Sequence, residues 1–116
     1  MTFELGKSSV KTLTGKVAIY QPQDDAPRKK VATLKVTTCI LPRTEFFELL
    51  SSLDDKELAK HLVKNIEAGD SHTTAVTYTP ELMDEIYEIE WQFAPILDFV
   101  VRANNPKFAQ ALAVKN

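Results

Sequence analysis

VATLKVTTCI, Val31 to Ile40, runs straight into LPRTEFFELLSSL, Leu41 to Leu53, and the change of period between them decides the fold class. In the first stretch Ala32, Leu34, Val36 and Thr38 fall on one side, and Val31, Thr33, Lys35 and Thr37 on the other. A repeat of two suits a half-buried antiparallel strand. In the second stretch Thr44 is placed to cap a helix, and Glu45 and Glu48 favour the positive end of its dipole. Phe46, Phe47, Leu49 and Leu50 there fill a broad apolar face, so a strand gives way to a short helix.

Working upstream, VKTLTGKVAIY (Val10 to Tyr20) is rich in β-branched residues and partly alternates from Lys16 to Tyr20, which predicts a second strand with a looser start near Gly15. Between the strands, QPQDDAPRKK has two prolines, two aspartates and no apolar side chain larger than Ala26, and reads as a loop or extended hairpin tip. Two strands make a marginal sheet. Either AVTYT (Ala75 to Thr79) adds a third, or the helices cover one face.

Downstream, SSLDDKELAKHLVKNI restarts a helix: Asp54 with Glu57 fits a capping box, and Leu58, Leu62 and Ile66 recur every four residues. Its end is expected before Gly69, a residue suited to the left-handed C-terminal position. A third helix starts with Thr79 as cap and Pro80 at the first helical position. Its stripe of Leu82, Ile86, Ile89, Phe93, Ile96 or Leu97, and Val100 continues beyond Pro95. A proline inside a helix removes a hydrogen bond, so a kink or break is expected near Trp91. Asn104 and Asn105 are placed to end this segment, and Pro106 to begin a last short helix carrying Phe108, Ala111 and Leu112. The order of elements predicts an α+β fold. An N-terminal antiparallel β-hairpin or small sheet packs against a C-terminal group of three to five helices. Residues 1–116 form a single domain, with 1–9 and 104–116 as mobile ends.

The 116 residues are 44% hydrophobic and 26% charged, enough for one real core without staples. No apolar run approaches the roughly 20 residues of a membrane span, the N-terminal stretch lacks an apolar signal core, and Cys39 is the only cysteine. A cytosolic, reducing setting is expected. Three glycines, Gly6, Gly15 and Gly69, are too few and too scattered for a P-loop or a dinucleotide fingerprint. His61 and His72 stand eleven residues apart with no close His or Cys, so no metal site is expected. Asp70, Ser71 and His72 are adjacent, whereas catalytic triads are collected from separate parts of a fold; they read as a solvated turn. No catalytic residue and no cofactor is expected. Nucleic-acid binding is disfavoured because the only tight basic run is Arg28 to Lys30, with no interleaved aromatics.

Two features remain for contact chemistry. Residues 1–36 hold seven Lys/Arg against three Asp/Glu, and residues 37–116 hold seven against thirteen. Such halves match internally or attract a neighbouring copy or partner. Between Glu81 and Asp98 lie six carboxylates and no Lys or Arg, with Glu81/Glu85 and Asp84/Glu88 at the repulsive i,i+4 spacing. A basic surface, from this chain's first third or from a partner, is the natural complement. Aromatics cluster in the same region: Phe93 and Phe99 read as core, and Trp91 as either core or an interface anchor. Candidate partner-binding residues are Tyr87, Trp91, Phe93 and Phe99, with Glu85 and Glu88 on the acidic face.

Taken together, TLTGKVAIY, VATLKVTTCILPRTEFFELL, a charged helix and IEAGDSHTTAVTYTPELMDEIYEIEWQFAPILDFVVRA resemble the tail assembly chaperones of long-tailed phages and prophages. The likeness spans about Val10 to Ala103 and lies in the order and texture of the segments. Where relatives tend to carry a tryptophan and a glycine around the connector, this chain has Ile66, Ala68 and Gly69. The resemblance implies a non-enzymatic protein of the bacterial host cytoplasm that holds the tape-measure protein, a long helical client, during tail assembly. It also implies a homo-oligomer, and a longer frameshifted product sharing this domain. The family has no catalytic motif, so it assigns no active-site residue. The competing readings are a small cytosolic adaptor or regulatory module for another protein, and a small enzyme with a site gathered from distant residues.

Overall fold

A computed structural model describes residues 5–105. It has a three-stranded antiparallel sheet and four helices, so the fold is α+β. Strands β1 (Thr12–Gln23) and β2 (Ala26–Cys39) form a long hairpin. They run far into the proline-containing stretch expected as loop, leaving only Asp24 and Asp25 to turn the chain. Asp25 takes a left-handed φ of 54°, which a short polar side chain tolerates. Helix α1 (Arg43–Ser52) follows, then α2 (Asp55–Leu62), β3 (Val63–Ala68), α3 (Pro80–Tyr87) and α4 (Glu90–Asn104).

The third strand corrects the sequence reading. α2 starts as expected, with Asp54 Oδ1 accepting from the Glu57 amide at 2.8 Å, but it stops at Leu62. The next six residues pair with β2 (Val36 opposite Ile66, Leu34 opposite Ala68). Helical spacing of Leu58, Leu62 and Ile66 is therefore shared between two elements. Val63 and Ile66 are buried just as a helix would bury them, while pairing gives β2 hydrogen-bond partners on its second edge. Ala75–Thr79 stays outside the sheet. Gly69 is not left-handed either: its amide donates to the Thr33 carbonyl at 2.7 Å, and an added Cβ would stand 2.9 Å from that oxygen. Glycine is required there by close approach to β2.

Further down, Thr79 caps α3, accepting from the Leu82 amide at 3.3 Å, with Pro80 in the first turn. The break falls at Glu88 and Ile89, before Trp91, and Pro95 lies inside α4 without ending it. Thr44 is not the cap of α1; Pro42 precedes that helix and no side chain caps it. Asn104 ends α4 and is held: its side chain donates to the Cys39 carbonyl at 3.0 Å and accepts from the Leu41 amide at 2.9 Å. The helix expected from Pro106 lies outside the described residues.

α4 packs on β1 and β2, and α2 on β3, α3 and α4. The core gathers Val17, Ile19, Val36 and Ile66 from the sheet, with Phe46, Leu58, Leu62, Met83, Phe93, Ile96 and Val100 from the helices. Phe46 anchors α1, while Phe47 beside it is exposed. No helix of the described residues is long and apolar enough to cross a membrane.

Candidate functional site

A β-bulge prepares the site. Ile19 faces Ala32 and Tyr20 faces Lys30, so Val31 is an extra residue in β2. Alternation had put Val31 on the face opposite Ala32; the bulge lets both line one cleft. That cleft has a volume of about 470 Å³. Ile19, Leu34, Ile66 and Ile96 form its apolar base, Leu82, Ile86 and Trp91 one wall, and connector residues Thr73 to Thr77 the other. His72 and Gln92 add polar groups, and among the described residues no carboxylate, lysine, arginine or cysteine lines it.

The connector is tied down at its start. Asp70 Oδ1 accepts from the amides of His72 (3.1 Å) and Thr73 (2.9 Å) and from the Thr73 hydroxyl (2.8 Å), and Thr73 Oγ1 in turn accepts from the Thr33 amide at 2.9 Å. Asp70, Ser71 and His72 are exposed, as a solvated turn would be. The carboxylate organises backbone and the Thr73 hydroxyl. The Thr73 hydroxyl is the largest cause holding the Asp70 carboxyl below its ordinary value of 3.8; the Thr33 side chain and the His72 and Thr73 amides add to it, and desolvation opposes it. A group with a lowered folded-state pKa stabilises above the unfolded value, and that contribution is lost as pH falls through the folded value. NMR titration of Asp70 is therefore expected to give a midpoint below 3.8, with the Thr73 amide shifting at the same pH. Asp70→Asn should remove that transition; a midpoint at or above 3.8 would contradict the tether.

The expected contact residues divide. Trp91 is half-buried in the cleft wall. Phe93 is 2% exposed and belongs to the core, which corrects its place among partner-contacting residues. Tyr87, 38% exposed, covers it edge-on at 5.0 Å, with Lys56 5.5 Å above the tyrosine ring. Phe99 is half-buried against Gly15 and does not line the cleft. Glu85 and Glu88 are exposed with no ion pair among the described residues. Asp84 does have partners, Lys60 at 3.1 Å and Lys56 at 3.8 Å, and these come from α2 and not from the basic first third. Hydrogen bonding to Asp84 raises the Lys60 pKa above 10.5. Asp98 pairs with Arg102 one turn on.

Sequence reasoning missed Val31, Leu82, Ile86 and the connector as parts of one site. The β-rich AVTYT was the one available signal that 75–79 is not helical. On comparison with known proteins, the chain matches no family model, no curated protein and no solved structure.

Proposed function

We propose that the protein is a tail assembly chaperone that binds helical segments of a tape-measure protein and keeps them soluble, acting by contact alone. The observation that carries the binding part of this reading is the apolar cleft of about 470 Å³ between connector and α3–α4. Its volume suits a few apolar side chains projecting from one face of an amphipathic helix. Glu85 lies on the solvent side of Leu82 and Ile86, so a client with basic residues flanking its apolar stripe is favoured. The lining supplies hydroxyls, one imidazole and one amide, a set suited to holding a peptide. The resemblance of the segments in order and texture supports the choice of client.

Co-expression with a tape-measure fragment tests it: the client is expected in the soluble fraction with the protein and in the pellet without it. Equal insolubility in both would overturn the proposal. Trp91→Ala is expected to weaken client binding roughly tenfold or more while lowering the melting temperature by only a few degrees, because a half-buried tryptophan in a cleft wall contributes more to an interface than to the core. Parallel loss of binding and stability would place Trp91 in the core instead.

A further inference from the structure

Strand β2 outruns its neighbour β3. Their pairing covers Leu34 to Thr38, and the last rung is the Gly69 amide on the Thr33 carbonyl, with the Thr33 amide given to Thr73 Oγ1. Beyond it, residues 26–32 pair only with β1, so the third-strand position beside them, about 23 Å long, has no hydrogen-bonded occupant among the described residues. The connector does not fill it. Past Thr73 it turns towards α2 and α3, where Tyr78 lies within the field of Lys60 and Asp84, and no backbone group of residues 74–78 bonds to β2. A free edge of this kind presents amides and carbonyls that template another strand. Arg28, Lys29 and Lys30 stand on it, exposed and without an ion pair among the described residues, and β1 sets Tyr20 and Gln21 opposite Lys30 and Lys29. Acidic residues lie off both ends: Asp24 and Asp25 turn the hairpin, Glu67 faces Lys35 and accepts from Asn65 Nδ2 at 2.7 Å, and Asp70 holds Thr73.

We propose that residues 26–32 of β2 bind an extended acidic segment of another protein as an added strand. Main-chain bonds along the free edge supply affinity, and Arg28, Lys29 and Lys30 select carboxylates. Side chains of an added strand alternate, so one set falls on the side of Tyr20 and Lys30 and the other on the side of Ala32, where exposed Val31 rims the cleft. Glutamates in the first set and small apolar residues in the second fit those two sides. The cations also decide what is refused. Two copies of this edge brought together would set lysine and arginine against their like, and Pro27 offers no amide, so pairing of the edge with itself is disfavoured. The occupant is extended and acidic, whereas the proposed client is helical and flanked by basic residues. Strand addition and client binding therefore use different chemistry, and either fails without the other.

The probe is a capped seven-residue peptide of alternating valine and glutamate, titrated into the full chain at about 50 mM salt and followed by NMR. It should shift the amides of Arg28, Lys29, Lys30 and Val31 more than those of Ile86, Trp91 and Gln92. The valine–lysine counterpart should bind at least about tenfold more weakly. Two further forms carry N-methyl groups on alternate amides, one form for each edge of the peptide strand, and the form blocked on its bonded edge should also lose about tenfold or more. Arg28→Gln/Lys29→Gln/Lys30→Gln should weaken binding about tenfold, with the melting temperature held because all three side chains are exposed. If that variant fails to fold, Lys30→Gln takes its place, with a loss of about threefold. No binding of the glutamate peptide, equal binding by the lysine peptide, by both methylated forms or by the variant, or shifts centred on the cleft would overturn the proposal.

Discussion

Replacing Ile66 with alanine is expected to destabilise the fold by about 3 kcal/mol, lowering the melting temperature by roughly 15 °C. Ile66 is 1% exposed, pairs with Val36 on the central strand, and forms part of the cleft base. Deleting three of its carbons removes apolar contacts and leaves a cavity that strands on one side and helices on the other cannot easily close. Ile66→Val should cost only about 1 kcal/mol. The size of the loss also tests the chain path. Were 63–68 the last turn of a helix, Ile66 would sit in a fraying end and its truncation would cost well under that. Urea unfolding followed by circular dichroism distinguishes the two; a loss below about 1 kcal/mol would contradict β3 as a core strand.

The second large effect is expected at Gly15. A Cβ built there stands 2.6 Å from Cε1 of Phe99, inside van der Waals contact, and the ring is held by α4 against β1. Valine suits a strand better than glycine by up to about 1 kcal/mol. The clash outweighs that gain, because relieving it means swinging the Phe99 ring or lifting α4, so Gly15→Val should cost about 2 kcal/mol net. The decisive measurement is a double-mutant cycle. In Gly15→Val/Phe99→Ala the obstructing ring is gone, and the combined loss should fall short of the sum of the single losses by at least about 1 kcal/mol. Simple additivity would show that the two positions do not meet. Gly15 was read from sequence only as a looser strand start, because nothing local reveals what crosses over it.

The legible parts of the fold were those set by nearest neighbours. Thr79-Pro80 and Asp54 marked helix starts that the structure retains, since a cap needs only the amides two or three residues on. Alternation marked both long strands, though their extent into QPQDDAPRKK depends on cross-strand pairing, which no single stretch carries. The end of α2 was misread because four-residue spacing cannot separate one helix from a helix followed by a strand when both bury the same residues. Trp91 was identified as an interface candidate, yet Phe93 and Phe99 were grouped with it; chain proximity says nothing of which helix face meets the sheet. The cleft itself was invisible. It depends on one inserted residue at Val31 and on a connector tied back to Thr33 by Asp70 and Thr73.

By itself the sequence determined the α+β order, the two long strands, the caps, the absence of P-loop and dinucleotide motifs, and the separation of basic from acidic residues, because these follow from local periodicity, backbone chemistry and composition. Only the tertiary structure decided that β3 completes the sheet, which aromatics are buried, and where the apolar cleft opens. Those outcomes turn on contacts between residues dozens of positions apart, where satisfying the β2 edge and packing α4 onto the sheet outweigh what any segment prefers alone.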